Sequence, residues 1–322
     1  MPIDPILEPL LSNMPPMPEE IDDFDVWRAE EGAAADVLMD QIMEPAPDGV
    51  ERRVVELPVE GGSVELHVFT PPTAGPHPAH LYLHGGGWIG GSIKHKSIDI
   101  LCRERAAGAD CVVVTVEYRK APEHKFGAGL NDCYAALLWT AEHADELGVR
   151  TDSISIGGGS AGANLAAAVA LKARDETGPA LVLQLLEVPA LDLTASTPSH
   201  QRNATGYGLT HDGIKACVRY YLDSPQDAHH PYASPLLAPD LSGLPPAYIL
   251  SAEYDPVCDD GEEYARRLTE AGVPATFSLQ RGQIHTSSAL TKLLPAARSW
   301  REEALAALRD AHRPYPRTAS AQ

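Results

Sequence analysis

The sequence predicts an α/β protein, a mostly parallel, twisted sheet with helices on both faces. Three observations carry that prediction. Strand-like and helix-like segments alternate from about residue 50 to residue 310, the pattern of a parallel sheet covered on both sides. The run Cys111-Val112-Val113-Val114-Thr115-Val116 is β-branched and apolar on both faces, as a buried parallel strand must be. Finally, residues 154–165 read as a strand, a glycine-dense turn and an alanine-rich helix.

Taken in order, residues 1–50 are proline-rich and acidic. Within them, Val26, Ala29, Ala33, Val37 and Met39 to Ile42 recur at helical spacing, so one or two helices are expected over 22–43, closed by Pro45 and Pro47. Residues 53–57 and 64–69 alternate like a hairpin joined at Gly61-Gly62. A short apolar strand, 79–83, runs into His84-Gly85-Gly86-Gly87-Trp88. Helices are expected over 97–107, 130–147, 161–174, 261–271 and 290–308, with further strands at 153–156, 181–188, 248–252 and 276–279. Residues 195–235 interrupt the alternation with a polar, turn-rich start, one helix near 212–222 and then Pro225, Pro231 and Pro235. A long insertion between core strands is more often functional than decorative, and this one sits where a lid would be. The last ten residues look frayed.

Composition narrows the field. The chain has 322 residues and a formal net charge of −20. Such a charge repels phosphate backbones and anionic membranes, so nucleic-acid binding is set aside. The five cysteines form no C-x-x-C pair, as expected of isolated thiols in a reducing compartment. No stretch reads as a signal peptide or a membrane span, so a cytoplasmic protein is expected. His80 and His84 are four apart but lie on a strand, without matched carboxylates or cysteines, so no metal site is expected.

Two chemistries claim the glycine-dense turn. Gly157, Gly159 and Gly162 match a dinucleotide fingerprint. Gly158-Gly159-Ser160-Ala161-Gly162 also match a nucleophile elbow, in which a strained turn exposes a serine. The rest of the chain separates them. A serine hydroxyl needs a base, and the base needs an orienting acid. Asp255 follows the strand at 248–252, and His285 follows the strand at 276–279, so acid and histidine come after Ser160 in the order and at the strand ends that an α/β-hydrolase requires. Asp259, Asp260 and Glu253 are rival acids. The helix N-terminus and the Ala161 amide suit a developing oxyanion, and the 84–88 loop can supply further amides. A flavin- or nicotinamide-dependent oxidoreductase would instead want an acid at the next strand end, where Glu187 comes late. It would also leave Asp255, His285 and the 84–88 loop without a purpose.

With these residues in view, the chain resembles the hormone-sensitive-lipase group of α/β-hydrolases, the bacterial family IV esterases. The matching residues are His84 to Trp88, Gly158 to Gly162 with Asn164-Leu165, Asp255-Pro256, His285, and the block from Glu117 to Glu123. The resemblance covers about residues 50–310. It implies an α/β-hydrolase fold with a helical cap, and hydrolysis of small to medium carboxylic esters through an acyl-serine, without a cofactor. Carried over, Ser160 is nucleophile, His285 base and Asp255 its orienter, with Gly86, Gly87 and Ala161 donating to the oxyanion. Trp88, Trp27, Tyr207 and Leu209 are candidates to line the substrate pocket, with plain packing the competing role for each. Glu123 is expected to be a structural anchor. The expected division is a cap segment at 1–50, core at 51–194, an inserted cap segment at 195–235, core at 236–312 and a flexible tail at 313–322. The expected partner is a small-molecule ester, and a homodimer is a possible assembly. A non-catalytic receptor on the same fold is a third reading, weakened by the presence of all three triad members. The chain departs from the family pattern in three places. Gly159 stands where Asp or Thr is usual, Lys120 replaces Leu, and Thr286-Ser287 replace Gly-Phe.

Overall fold

Strands buried on both faces need helices on both faces, and the chain supplies them alternately. A computed structural model describes residues 2–12, 17, 18 and 20–313. In chain order the elements are α1 (Leu7–Leu11), α2 (Phe24–Ile42), β1 (Glu51–Val59), β2 (Gly62–Thr70), β3 (His77–Leu83), α3 (Lys96–Ala109), β4 (Val112–Val116), α4 (Ala128–Glu142), α5 (Ala144–Leu147), β5 (Val149–Gly159), α6 (Ala161–Asp175) and β6 (Leu183–Glu187). They continue with α7 (Ser199–Arg202), α8 (His211–Tyr221), β7 (Ala247–Tyr254), α9 (Cys258–Glu270), β8 (Ala275–Ile284) and α10 (Pro295–Ala311). All eight strands form one sheet in the order β1-β2-β4-β3-β5-β6-β7-β8. The predicted hairpin is β1-β2, and β2 also runs antiparallel to β4. Every other pairing is parallel.

The central strands β3, β4 and β6 are buried along their whole length. On one face, α4, α6 and α9 bury Leu137, Leu165, Val169 and Tyr264 among others. On the other, α3 and α10 bury Leu101, Cys102, Trp300 and Leu308 against Phe69, Tyr82 and Val113. Each fully buried leucine here contributes about 1.5–3 kcal/mol. The alanine-rich sequence of α6 lets it lie close against β5 and β6, and twelve of its residues are buried. With all parallel strands pointing one way, the ends of β3, β5, β6, β7 and β8 share one edge of the sheet, where open α/β folds build their sites.

Several boundaries differ from expectation for local reasons. The helix predicted over 130–147 is two helices that meet at His143, whose backbone leaves the helical region and whose Nδ1 lies 2.9 Å from the Trp139 carbonyl. The helix predicted from 290 starts at Pro295, after an extended Leu294. Proline suits that first position, since it has no amide hydrogen to leave unpaired. At the N-terminus, α2 is a single helix capped by the Asp23 carboxylate, which accepts from the Asp25 and Val26 amides. Its buried stripe is Phe24, Gly32, Met39 and Ile42, whereas the predicted Val26 and Val37 are 51% and 70% exposed. Only one side of α2 meets the protein, and the His95 ring fills the space beside Gly32.

The N-terminal segment is anchored to the core. Leu7, Met39 and Met43 form a third cluster with Ile100, Ile284 and Leu294. It also meets the 195–235 insertion. The Phe24 and Tyr220 rings stand edge to face at 5.0 Å, and Cys217 Sγ lies 3.5 Å from Met17 Sδ. Among the described residues, no helix is long and apolar enough to cross a membrane. The tail predicted over 313–322 lies outside the described residues after Arg313.

Candidate active site

The turn between β5 and α6 is one residue, Ser160, with φ 57° and ψ −121°. That conformation is costly for a residue with a side chain and persists only where its surroundings demand it. Here they do. The Ser160 amide donates to the Glu187 carbonyl at 2.9 Å, and the Ser160 carbonyl accepts from the Asn164 amide at 3.1 Å. The helix then folds back so tightly that a Cβ on Gly162 would run into the carbonyls of Leu83 and His84, and one on Gly158 would stand 2.5 Å from the Leu83 oxygen. The serine does not cap its own helix, which removes the ordinary reason for a serine at this position.

The Ser160 hydroxyl instead meets His285, the residue after β8. Oγ lies 2.8 Å from His285 Nε2, and His285 Nδ1 lies 2.6 Å from Asp255 Oδ2. Asp255, the residue after β7, is fully buried. Its Oδ1 accepts from the Val257 amide at 3.1 Å, and its carbonyl accepts from Asn203 Nδ2 at 2.9 Å. A carboxylate accepts only, so Nδ1 carries the histidine proton and Nε2 is free to accept from the serine. The rival acids are engaged elsewhere. Asp260 holds the Leu191 and Asp192 amides and the Thr197 hydroxyl, Asp259 pairs with Arg202, and Glu253 accepts from the Gly282 amide. His312 lies against Ser155 Oγ at 2.9 Å, away from the trio.

The second glycine segment turns beside the serine. Gly86, Gly87 and Trp88 have φ of 131°, 58° and 63°. The Gly86 carbonyl accepts from the Ile89 and Gly90 amides, while the amides of Gly86, Gly87 and Ala161 have no acceptor among the described residues. The loop is held from outside. Tyr118 Oη donates to the His84 carbonyl at 2.9 Å, and the two rings stack at 4.2 Å. Burial brings the His84 imidazole down to a pKa of about 4. Trp88 Nε1 donates to Asn164 Oδ1 at 3.2 Å. From α2, Arg28 donates through Nε to the Ile89 carbonyl and through Nη2 to the Ala121 carbonyl, both at 2.7 Å, and pairs with Glu123 at 2.6 Å. Glu123 thus anchors the helix that braces the loop. Lys120, one of the departures, pairs with Glu117. Burial works to raise the Glu117 carboxyl, but His84, Lys120 and the Ile93 amide outweigh it and bring it down to about 2.

Around Ser160 and His285 lies a cleft of about 350 Å³, lined also by Tyr82, Leu101, Gly85 to Gly87, Gly159, Glu187, Val188, Leu209, Thr286 and Ser288. Larger hollows of about 820 and 720 Å³ lie elsewhere and contain none of the trio. Of the four residues expected to line a substrate pocket, Leu209 does so. The other three take the competing packing role. Trp88 is 3% exposed and stacked on Tyr221 at 4.9 Å, because its positive φ turns the ring toward α6. Trp27 packs over Gly90 and against Phe24. Tyr207 packs against Tyr254 at 4.8 Å. Sequence reasoning missed Tyr82, Leu101 and Val188 in the cleft; their only signal was position at a strand end or on the next helix. It weighed Glu187 as a ribose ligand, but that carboxylate is paired with Arg105. The dinucleotide reading fails further at Gly157, which sits inside β5 between β3 and β6, where a Cβ would strike the Leu185 carbonyl. Among the described residues, no cluster of three or more His, Cys, Asp or Glu side chains is arranged to hold a metal.

Residues 80–288 match the family described as the α/β hydrolase fold. The carboxylesterase NlhH of Mycobacterium tuberculosis is 39% identical over 317 residues, 96% of each chain. The esterase LipI of the same organism is 40% identical over 266 residues, 80% of this chain and 82% of that protein. Among solved structures, the hyperthermophilic esterase of Pyrobaculum calidifontis superposes with a TM-score of 0.88 at 36% identity, covering 96% of this chain and 99% of that one.

Proposed function

The chain belongs to the α/β-hydrolase family, in its hormone-sensitive-lipase-like branch, and is a carboxylic ester hydrolase; from that premise we propose a serine esterase with Ser160 as nucleophile, His285 as general base and Asp255 as the group that orients the histidine. The observation that carries this reading is the unbroken pair of hydrogen bonds from Ser160 Oγ to His285 and from His285 to the buried Asp255. His285 Nε2 takes the serine proton as Oγ attacks the ester carbonyl. Asp255 holds the ring and stabilises the imidazolium that forms. The carbonyl oxygen becomes an oxyanion and takes the free amides of Ala161, Gly86 and Gly87. Removal of one such donor typically costs about 3–4 kcal/mol of barrier. His285 then returns the proton to the leaving alcohol, and water releases the acyl group by the same steps in reverse.

The helices at 1–50 and the insertion at 195–235 act in this reading as caps over the cleft. Support comes from Leu209, which the insertion contributes to the cleft wall, and from the ring contact joining the two segments. A cleft of about 350 Å³ favours small to medium esters. A p-nitrophenyl acyl series should therefore show its highest kcat/KM at short chains, and a maximum at long chains would overturn the size assignment.

The nucleophile is tested directly. A fluorophosphonate probe should label the wild type and not Ser160→Ala, and ester hydrolysis should fall by about 10⁴-fold or more in that variant. Labelling that survives the substitution would sink the assignment.

A further inference from the structure

The wall of the cleft beside Ser160 holds polar groups that the reaction just described does not use. Tyr82, near the end of β3, lines the cleft, and its hydroxyl has no hydrogen-bond partner among the described residues. Glu187, the last residue of β6, lines it too. One of its carboxylate oxygens is paired with Arg105, and the other has no partner among the described residues. Arg105 itself is buried in α3. It donates to His80 Nε2 at 3.0 Å, pairs with Glu187 and lies 4.6 Å from the centre of the Tyr82 ring. One buried cation therefore fixes both polar groups. Neither atom is among the buried unpartnered ones, so both open onto the cleft, where a substrate hydroxyl can take the place of water.

Gly159 supplies the room. It has no positive φ that would require glycine, and a Cβ there would stand 3.6 Å from Tyr82 Oη, an ordinary contact. The close packing that demands glycine at 158 and 162 makes no such demand at 159, so the missing side chain leaves open space between Ser160 and Tyr82.

The strand order says which part of an ester reaches that space. β3 and β8 lie on opposite sides of β5. The leaving oxygen must face His285, after β8, to receive its proton; Tyr82 stands on the far side of β5, and the Glu187 carboxylate, although it ends β6, is held beside the Tyr82 ring by Arg105, so the pair is assigned to the acyl group. We propose that Tyr82 and Glu187 form a polar acyl subsite, opened by Gly159, that selects esters whose acyl chain carries a hydroxyl close to the carbonyl. Such a hydroxyl donates to the open Glu187 oxygen and accepts from Tyr82 Oη. An ammonium group gains little, because Arg105 neutralises Glu187, and a carboxylate meets the Glu187 oxygen unfavourably. Leu101 and Val188 close the walls and limit the chain that fits.

This inference rests on the acyl-serine reading, and the experiment separates the two. The full chain is assayed on the p-nitrophenyl esters of 3-hydroxypropanoic and butanoic acid, which share a leaving group and differ by a hydroxyl for a methyl. The ratio of their kcat/KM values, corrected for spontaneous hydrolysis, is expected to favour the hydroxy ester about five- to tenfold. In Tyr82→Phe, which keeps the ring under Arg105, the ratio should fall toward one. Gly159→Ala, whose added methyl fits without collision, should lower it independently if Tyr82→Phe folds poorly. A wild type without the preference, or a ratio unchanged in either folded variant, overturns the subsite while leaving Ser160-dependent hydrolysis intact. A 3-aminopropanoate ester preferred over the hydroxy ester also overturns it, because Glu187 would then act as a free anion. Hydrolysis that survives Ser160→Ala would instead overturn the underlying reading.

Discussion

The elbow at Ser160 and the glycine loop at residues 85–91 both present bare backbone to the same cleft, but they are held by different means. The elbow is set by backbone packing. A side chain at Gly158 would meet the Gly162 backbone and the Leu83 carbonyl, and one at Gly162 would strike the Leu83 and His84 carbonyls at the end of β3. The glycine loop is set from a distance. Its carbonyls and rings are fixed by Arg28, Tyr118 and Asn164, none of which adjoins it in sequence. Rigid preorganisation of amides is what an oxyanion site needs; the elbow is held by backbone against backbone and the loop by side-chain hydrogen bonds.

That contrast can be broken at the elbow with the largest effect. Gly162→Ala drives a methyl into two backbone carbonyls that cannot move without disturbing β3, so we expect a loss of about 4 kcal/mol or more by chemical denaturation, together with loss of probe labelling at Ser160. A mild change in both would mean the turn is looser than its packing indicates.

Acid should act on the loop. His84 is buried, its Nδ1 engaged by the Gly85 carbonyl and its Nε2 without a partner. Burial holds the folded pKa near 4, against 6.5 for the free group. Above pH 6.5 the group is neutral in both states and costs nothing. As pH falls from 6.5 toward 4 the unfolded chain takes up a proton that the folded chain refuses, so stability declines through that window. His84 alone accounts for about 3 kcal/mol of the loss. Unfolding midpoints measured from pH 7 to pH 4 check this, and the decline should shrink in His84→Gln. A flat profile would contradict it.

A smaller effect is expected at the brace. Arg28→Ala removes the bonds to the Ile89 and Ala121 carbonyls without touching the elbow. We expect kcat to fall about tenfold with KM changed less, since the loop's amides matter most when the oxyanion forms. Arg28→Lys should restore little, because one ammonium cannot span both carbonyls and Glu123. A change confined to KM would show that α2 shapes substrate access and leaves the loop alone.

The same contrast separates what was legible in the sequence. The alternation of strands and helices, the order Ser160, Asp255, His285 and the glycines around Ser160 were readable because each is a local pattern with a steric or topological cause. Glu123 was readable as an anchor, but its partner Arg28 was not. The pocket residues were less legible. Trp88 and Tyr207 were candidates for substrate contact with packing as the competing role, and packing is the role the structure gives them. Tyr82 and Glu187 showed only their strand-end positions, because a strand residue does not disclose which face it shares with a neighbouring strand until the strand order is known.

By itself, then, the sequence determined the class of chemistry, ester hydrolysis on an α/β-hydrolase fold. Backbone sterics and chain order account for the exposed turn at Ser160 and for Asp255 and His285 at later strand ends. Tertiary structure decided the surroundings: which helix braces the glycine loop, which aromatics are buried, and which polar groups face the cleft. Those depend on contacts between residues dozens of positions apart, and such contacts exist only once the sheet has placed its strands side by side.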